Sequence, residues 1–110
     1  MQINSNNANV LLLKKIIEKK GSITIQVSGN SMWPYIENGD YVELELRDYH
    51  EGDVLLFKYY TEELLVHRLI RIDGDSLLLR GDNAFRIEHI TSKEVVGVIV
   101  NVIRHPHAYI

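Results

Sequence analysis

Three stretches of this chain combine residue types that can support nucleophilic and acid–base chemistry. In Val27-Ser28-Gly29-Asn30-Ser31-Met32-Trp33-Pro34 a β-prone run breaks at Gly29, Ser31 follows at once, and Pro34 blocks continuation into a regular helix. A serine on a sharp turn at a strand end can point its Oγ outward with backbone N–H groups beside it. Those are the two needs of a nucleophile with an oxyanion hole. In Leu65-Val66-His67-Arg68-Leu69-Ile70 strand alternation places Leu65, His67 and Leu69 on one face and Val66, Arg68 and Ile70 on the other. Leucines flanking an imidazole on its own face shield it from water, which suits a neutral base. Arg80-Gly81-Asp82-Asn83 carries an aspartate in a tight turn that could fix the imidazole tautomer. Taken singly, each has a commoner structural role. A turn serine bonds its own backbone, a strand histidine is a hydrogen-bonded core residue, and a turn aspartate satisfies nearby N–H groups.

The elements that must position these residues are mostly strands. Met1–Asn7 is polar and Asn-rich and reads as a loose arm. From Ala8 to Lys20 the pattern turns helical: Val10, Leu13 and Ile17 form a stripe that Leu12 and Ile16 widen, and Gly21 is the stop. Beyond it, Ile23–Ser28, Tyr41–Leu46, Val54–Lys58, Leu64–Ile72, Ser76–Arg80 and Val95–Ile103 read as strands. Glycine turns separate them, and Asp73-Gly74-Asp75 between two apolar runs signals a hairpin. The expected organisation is an arm and amphipathic helix over residues 1–21, a mainly-β domain over 22–104, and a tail over 105–110.

Composition narrows the function classes. At 110 residues the chain supports one core, and 45% apolar with 25% charged residues is ordinary for a globular domain. A net charge of -3 with scattered Lys and Arg argues against nucleic-acid binding. The absence of cysteine excludes thiol catalysis, disulfides and zinc–thiolate centres. His105-Pro106-His107 is the one close histidine pair, with His50 and His89 elsewhere and no acidic ligand set beside them, so neither a metal nor a cofactor is expected. No apolar run approaches the ~20 residues a membrane helix requires, and Met1–Asn9 lacks a basic start and apolar stretch. A soluble, cytoplasmic protein without a transmembrane anchor is the expectation. The many β runs leave room for pairing with a second copy as a homodimer.

The ordered set Ser28-Gly29-x-Ser31-Met32-x-Pro34, Gly39-Asp40, Gly52-Asp53-Val54, Val66-His67-Arg68 and Gly81-Asp82-Asn83 resembles the S24/S26 peptidases. That superfamily holds the type I signal peptidases and the LexA-like autoproteolytic repressors. The likeness runs from about Ile25 to Val100 and implies a coiled, mostly antiparallel β fold with Ser31 as nucleophile. Bacterial signal peptidases and LexA-like proteins place a lysine where this chain has His67. The His67-Arg68 pair is instead similar to the signal peptidases of the endoplasmic reticulum, archaea and sporulating bacteria, which are thought to use Ser and His with an acidic partner. Within that subgroup Asp82 matches the Gly-Asp-Asn aspartate, and Glu88 falls near a second functional aspartate. The resemblance therefore names Asp82 as partner of His67 with Glu88 as its rival.

Gly29 stands where membrane signal peptidases commonly have a serine, as in LexA-like proteins, so the oxyanion hole would rest on backbone N–H groups such as that of Ser31. No helix-turn-helix domain and no Ala-Gly or Cys-Gly bond for LexA-type self-cleavage is present. The implied function is a serine endopeptidase that binds a peptide or protein substrate as an added strand. Gly29, Met32, Trp33 and Pro34 would contact that substrate, and Tyr35 could line the same groove. A peptide-binding or self-associating module that keeps the fold without turnover is the alternative. The Ser31–His67 distance discriminates between them.

Overall fold

Alternating and doubly apolar strands dominate the chain, and the computed structural model shows how they close on one another. It describes residues 1–3, 10–60 and 63–105. In chain order these form β1 (Gln2–Ile3), α1 (Val10–Lys20), β2 (Ile23–Ser28), β3 (Tyr41–Glu45), β4 (Val54–Lys58), β5 (Leu64–Asp73), β6 (Ser76–Arg80), β7 (Ile87–Thr91), a 3-10 turn (Ser92–Glu94) and β8 (Val95–Ile103). The strand order is β1-β2-β3-β8-β4-β5-β6-β7, and β1 also pairs with β5. Every pairing is antiparallel. The tiny β1 thus bridges β2 to β5 and closes the first six strands of that order into a ring, from which β6 and β7 extend. The mainly-β architecture with one short N-terminal helix agrees with the expectation from sequence.

Two apolar cores explain why some strands alternate and others do not. Val27, Val42, Leu44, Val54, Leu56, Val66 and Ile99 fill the inside of the ring. Leu55, Phe57, Leu65, Leu69, Leu77, Leu79, Ile90 and Val98 form a second cluster where β6 and β7 fold against β4 and β5. Strand β4 lies between the two, so Val54, Leu55, Leu56 and Phe57 are all buried and its sequence is continuously apolar. Helix α1 inserts Ile17 into the first core, with Val10 and Leu13 beside it, and ends where the Gly21 N–H donates to the Ile17 carbonyl at 2.7 Å. Leu12, expected on the packed face, is exposed, so the stripe is narrower than its apolar residues suggest. The start of the expected helix, Ala8–Asn9, lies outside the described residues. None of the helices among the described residues is long and apolar enough to cross a membrane.

Two strands depart from the reading of the sequence. The expected loose arm contains β1, whose Gln2 and Ile3 pair with Ser28 and Val27. Strand β7 was not recognised because its polarity is inverted: Glu88 and Ile90 point inward while Ile87 and His89 point out. Its register on β6 sets Glu88 opposite Leu79 and brings a carboxylate beside β5. A register shift between Leu69 and Arg71 in the β5–β6 pairing leaves Ile70 out of the ladder and exposed, one residue past the inward-facing Leu69.

Candidate active site

The segment carrying Ser31 begins where β2 ends. Gly29 has φ +103°, a conformation L side chains rarely adopt, and its N–H donates to Asn38 Oδ1 at 2.9 Å. The chain then folds through successive turns, with Trp33 N–H donating to the Asn30 carbonyl at 3.1 Å and Ile36 N–H to the Met32 carbonyl at 3.0 Å. The Trp33–Pro34 peptide bond is cis. Met32 and Ile36 anchor these turns in the first core. Ser31 is left half-buried at the rim of the ring.

The Gly81-Asp82-Asn83 turn braces this segment from the other side. Asn83 N–H donates to the Ser31 carbonyl at 2.8 Å, and the Asn83 side-chain amide donates to the Asn30 carbonyl at 3.1 Å. The Asp82 N–H meets Met32 Sδ at 3.4 Å. Gly81 is a close-approach residue. A Cβ there would lie 2.5 Å from the Ser31 carbonyl oxygen and 3.1 Å from both Cδ2 and Nε2 of His67.

His67 sits in the middle of β5, 4% exposed, with the Phe57 ring tilted against it. Its Nε2 is 2.9 Å from Ser31 Oγ, and its Nδ1 is 2.6 Å from Glu88 Oε1. Glu88 is fully buried, and its second oxygen accepts from Arg86 Nε at 2.9 Å. Burial alone would raise the Glu88 carboxyl, but hydrogen bonds from His67 and Arg86 outweigh it and hold the group below its ordinary range. An ionised Glu88 can only accept, so Nδ1 carries the imidazole proton and Nε2 turns its lone pair to Ser31. The four side chains form one line: Ser31, His67, Glu88, Arg86.

Asp82 does not join that line, which corrects the expectation that it partners His67. Both its oxygens accept from Arg68, Oδ1 from Nε and Oδ2 from Nη2, each at 2.8 Å. Arg68 also donates to the Gly52 carbonyl at 2.6 Å and lies over the Tyr35 ring. The physical reason is strand alternation: Arg68 follows His67 and faces the opposite side of β5, so its partner lies across the strand from the imidazole. Glu88, on the neighbouring inward face, reaches Nδ1 instead.

A groove of about 380 Å³ opens at Ser31 and His67, lined also by Met1, Gln2, Glu63, Leu65, Ala84, Phe85, Arg86 and Glu88. Of the expected substrate-contacting residues, Gly29 adjoins it, since a Cβ there would stand 3.6 Å from Met1 Cα. Met32 is wholly buried in the core and cannot contact a ligand in the groove, so that expectation is corrected. Trp33 and Pro34 are exposed but outside the groove lining. Sequence reasoning missed Met1, whose α-amino group donates to Ser31 Oγ and stands 3.2 Å from His67 Nε2. It also missed Arg86, whose only signal was its position two residues before Glu88 on an extended segment.

The arrangement holds a hydroxyl, a base lone pair and a buried carboxylate in hydrogen-bonded series, which is the chemistry of an activated serine. The family model described as Peptidase S24-like matches residues 1–100. No curated protein matches the chain.

Proposed function

We propose that this chain, which belongs to the Peptidase S24-like family, is a serine endopeptidase using Ser31, His67 and Glu88. The observation that carries the reading is the 2.9 Å approach of Ser31 Oγ to His67 Nε2 with Glu88 on the far ring nitrogen. Ser31 Oγ attacks the scissile carbonyl carbon as His67 Nε2 takes the hydroxyl proton. The resulting imidazolium is stabilised by the ionised Glu88, and Arg86 keeps that carboxylate ionised and aimed. Collapse of the tetrahedral intermediate passes the Nε2 proton to the leaving amine and leaves an acyl-Ser31. A water, deprotonated by His67, then releases the acid. The backbone N–H of Ser31 is the oxyanion donor in this scheme, as Gly29 brings no hydroxyl.

The substrate in this reading lies extended in the open groove at Ser31 and His67, where Leu65, Ala84 and Phe85 meet its side chains. The alternative of a module without turnover gains no support from the Ser31–His67 distance, which lies within hydrogen-bond reach.

The test is incubation of wild type and Ser31→Ala with a diverse peptide mixture, read by mass spectrometry. The expected result is cleavage by wild type that falls by about 10³-fold or more in Ser31→Ala. Equal cleavage by the two proteins would refute the assignment.

A further inference from the structure

The His67 ring has a second set of neighbours besides Ser31 and Glu88. Phe57, buried on β4, tilts against it with ring centroids 6.2 Å apart. Tyr59, just past the end of β4, meets Phe57 edge to face at 6.5 Å. The Arg86 guanidinium lies over the Tyr59 ring, 5.0 Å from its centroid, and its Nε donates to Glu88 at 2.9 Å. Glu88 in turn reaches His67 Nδ1. His67, Phe57, Tyr59, Arg86 and Glu88 therefore form a closed circuit, in which Tyr59 joins the apolar wall of the imidazole to the charged pair.

The two members of that pair differ in freedom. The Arg86 side chain is 57% exposed and the Glu88 side chain not at all. A wholly buried carboxylate cannot swing out to its partner, so the long arginine has to be held in place from the solvent side, at a cost in rotamer freedom. Tyr59 is itself fixed: it packs against the second core, and its N–H donates to the Glu63 carbonyl at 2.8 Å. Its aromatic face attracts the planar cation and keeps the Nε edge turned to Glu88. We propose that Tyr59 is a positioning residue whose ring holds Arg86 on Glu88, and that through Arg86 it sets the protonation of the buried His67–Glu88 couple. The effect on that couple follows from the geometry, whereas its effect on turnover rests on the peptidase reading.

The sign follows from charge. With Arg86 in place, one cation, an ionised Glu88 and a neutral His67 sum to zero. When Arg86 is loosened, the couple is left with an uncompensated buried negative charge and binds a proton more readily, whichever of the two residues holds it. Its titration then moves to higher pH. The remaining groups facing the couple are unchanged among the proteins to be compared. Glu63 acts on Arg86, and the Met1 nitrogen stands 3.2 Å from His67 Nε2. Strand β6 sets Leu79 opposite Glu88, and Arg68 pairs with Asp82 on the other face of β5.

The test is a pH titration of the His67 ring in the full chain, followed by nuclear magnetic resonance of isotope-labelled histidine nitrogens. The His67 signals are identified by their loss in His67→Gln. Arg86→Gln removes the charge but keeps a donor for the buried acid, and its midpoint should lie at least about 1 pH unit above wild type. Tyr59→Leu should raise the midpoint by about 0.5 pH unit, the scale of a partly exposed cation–π contact. Tyr59→Met gives the same comparison should Tyr59→Leu not fold. Tyr59→Phe keeps the aromatic face and should titrate with wild type. In the Arg86→Gln background, Tyr59→Leu should add nothing, because its effect passes through Arg86. A wild-type midpoint in Tyr59→Leu or in Arg86→Gln would overturn the proposal, as would a Tyr59→Leu rise of equal size with and without Arg86.

On a cleaved peptide, the acid limb of kcat/KM should move up together with the ring titration in each variant. Shifted titrations with an unmoved acid limb would overturn the role in turnover. Shifted titrations with no hydrolysis by any of the proteins would instead remove the peptidase reading and leave the hold of Tyr59 on the couple standing.

Discussion

Glu88 and Asp82 are both acidic, both close in sequence to the second half of the site, and both held by an arginine, yet they occupy opposite environments. Glu88 is wholly buried on β7 between His67 and Arg86. Asp82 lies in a turn at the surface, about a quarter exposed, with both oxygens on Arg68. A buried carboxylate facing a ring nitrogen can set a tautomer and stabilise a transient imidazolium, because little water competes for its charge. A carboxylate at a wet rim, already committed to a guanidinium, instead clips two surface segments together. The turn around Asp82 still serves the site, through backbone rather than charge: Asn83 N–H holds the Ser31 carbonyl and Gly81 leaves room for His67.

The sharpest way to break this division is at Gly81. Gly81→Ala would drive a methyl into the Ser31 carbonyl and the imidazole edge. We expect a loss of about 10²-fold or more in kcat/KM, since small displacements of a nucleophile–base pair are costly. Circular dichroism should show the strands retained. Unchanged activity would mean that the turn does not set the Ser31–His67 geometry.

Stability separates the two carboxylates next. Glu88→Ala leaves the His67 Nδ1–H without its buried acceptor and should cost about 3 kcal/mol in urea unfolding. Asp82→Ala breaks a partly solvated pair and should cost about 1 kcal/mol or less. Equal costs would erase the distinction.

The smallest expected effect is in pH dependence. Glu88 is held below its ordinary 4.5 in the folded protein. As pH falls, the unfolded chain therefore takes up that proton first. The stabilisation is complete above the unfolded value and is lost as pH drops through the folded one. The urea midpoint should fall between pH 5 and the acid limit in wild type and in Asp82→Asn, and fall less in Glu88→Gln. A Glu88→Gln profile as steep as wild type would contradict a depressed Glu88.

Much of this was legible in the chain. Ser31 and His67 stood out because a serine after a strand break and a histidine between two leucines are local patterns, and alternation correctly placed His67 with Leu65 and Leu69. The resemblance named both acids, Asp82 first and Glu88 as its rival, but the choice between them was not legible, because partner choice is tertiary: it depends on the register of β7 on β6, and β7 hides itself by turning Glu88 inward and Ile87 outward. The same inversion concealed Arg86. Strand β1 was illegible for a different reason, since two paired residues carry no periodicity. Met32 read as a groove residue from its place beside Ser31, but the turns after Gly29 send it into the core instead.

The central claim, that Glu88 rather than Asp82 serves the imidazole, is tested most directly by comparing kcat/KM of Glu88→Gln and Asp82→Asn on one cleaved peptide. Glu88→Gln should fall by about 10²- to 10⁴-fold, the scale seen when an imidazole loses its orienting carboxylate, while Asp82→Asn should stay within about 10-fold of wild type. A large loss in Asp82→Asn with Glu88→Gln near wild type would contradict the account.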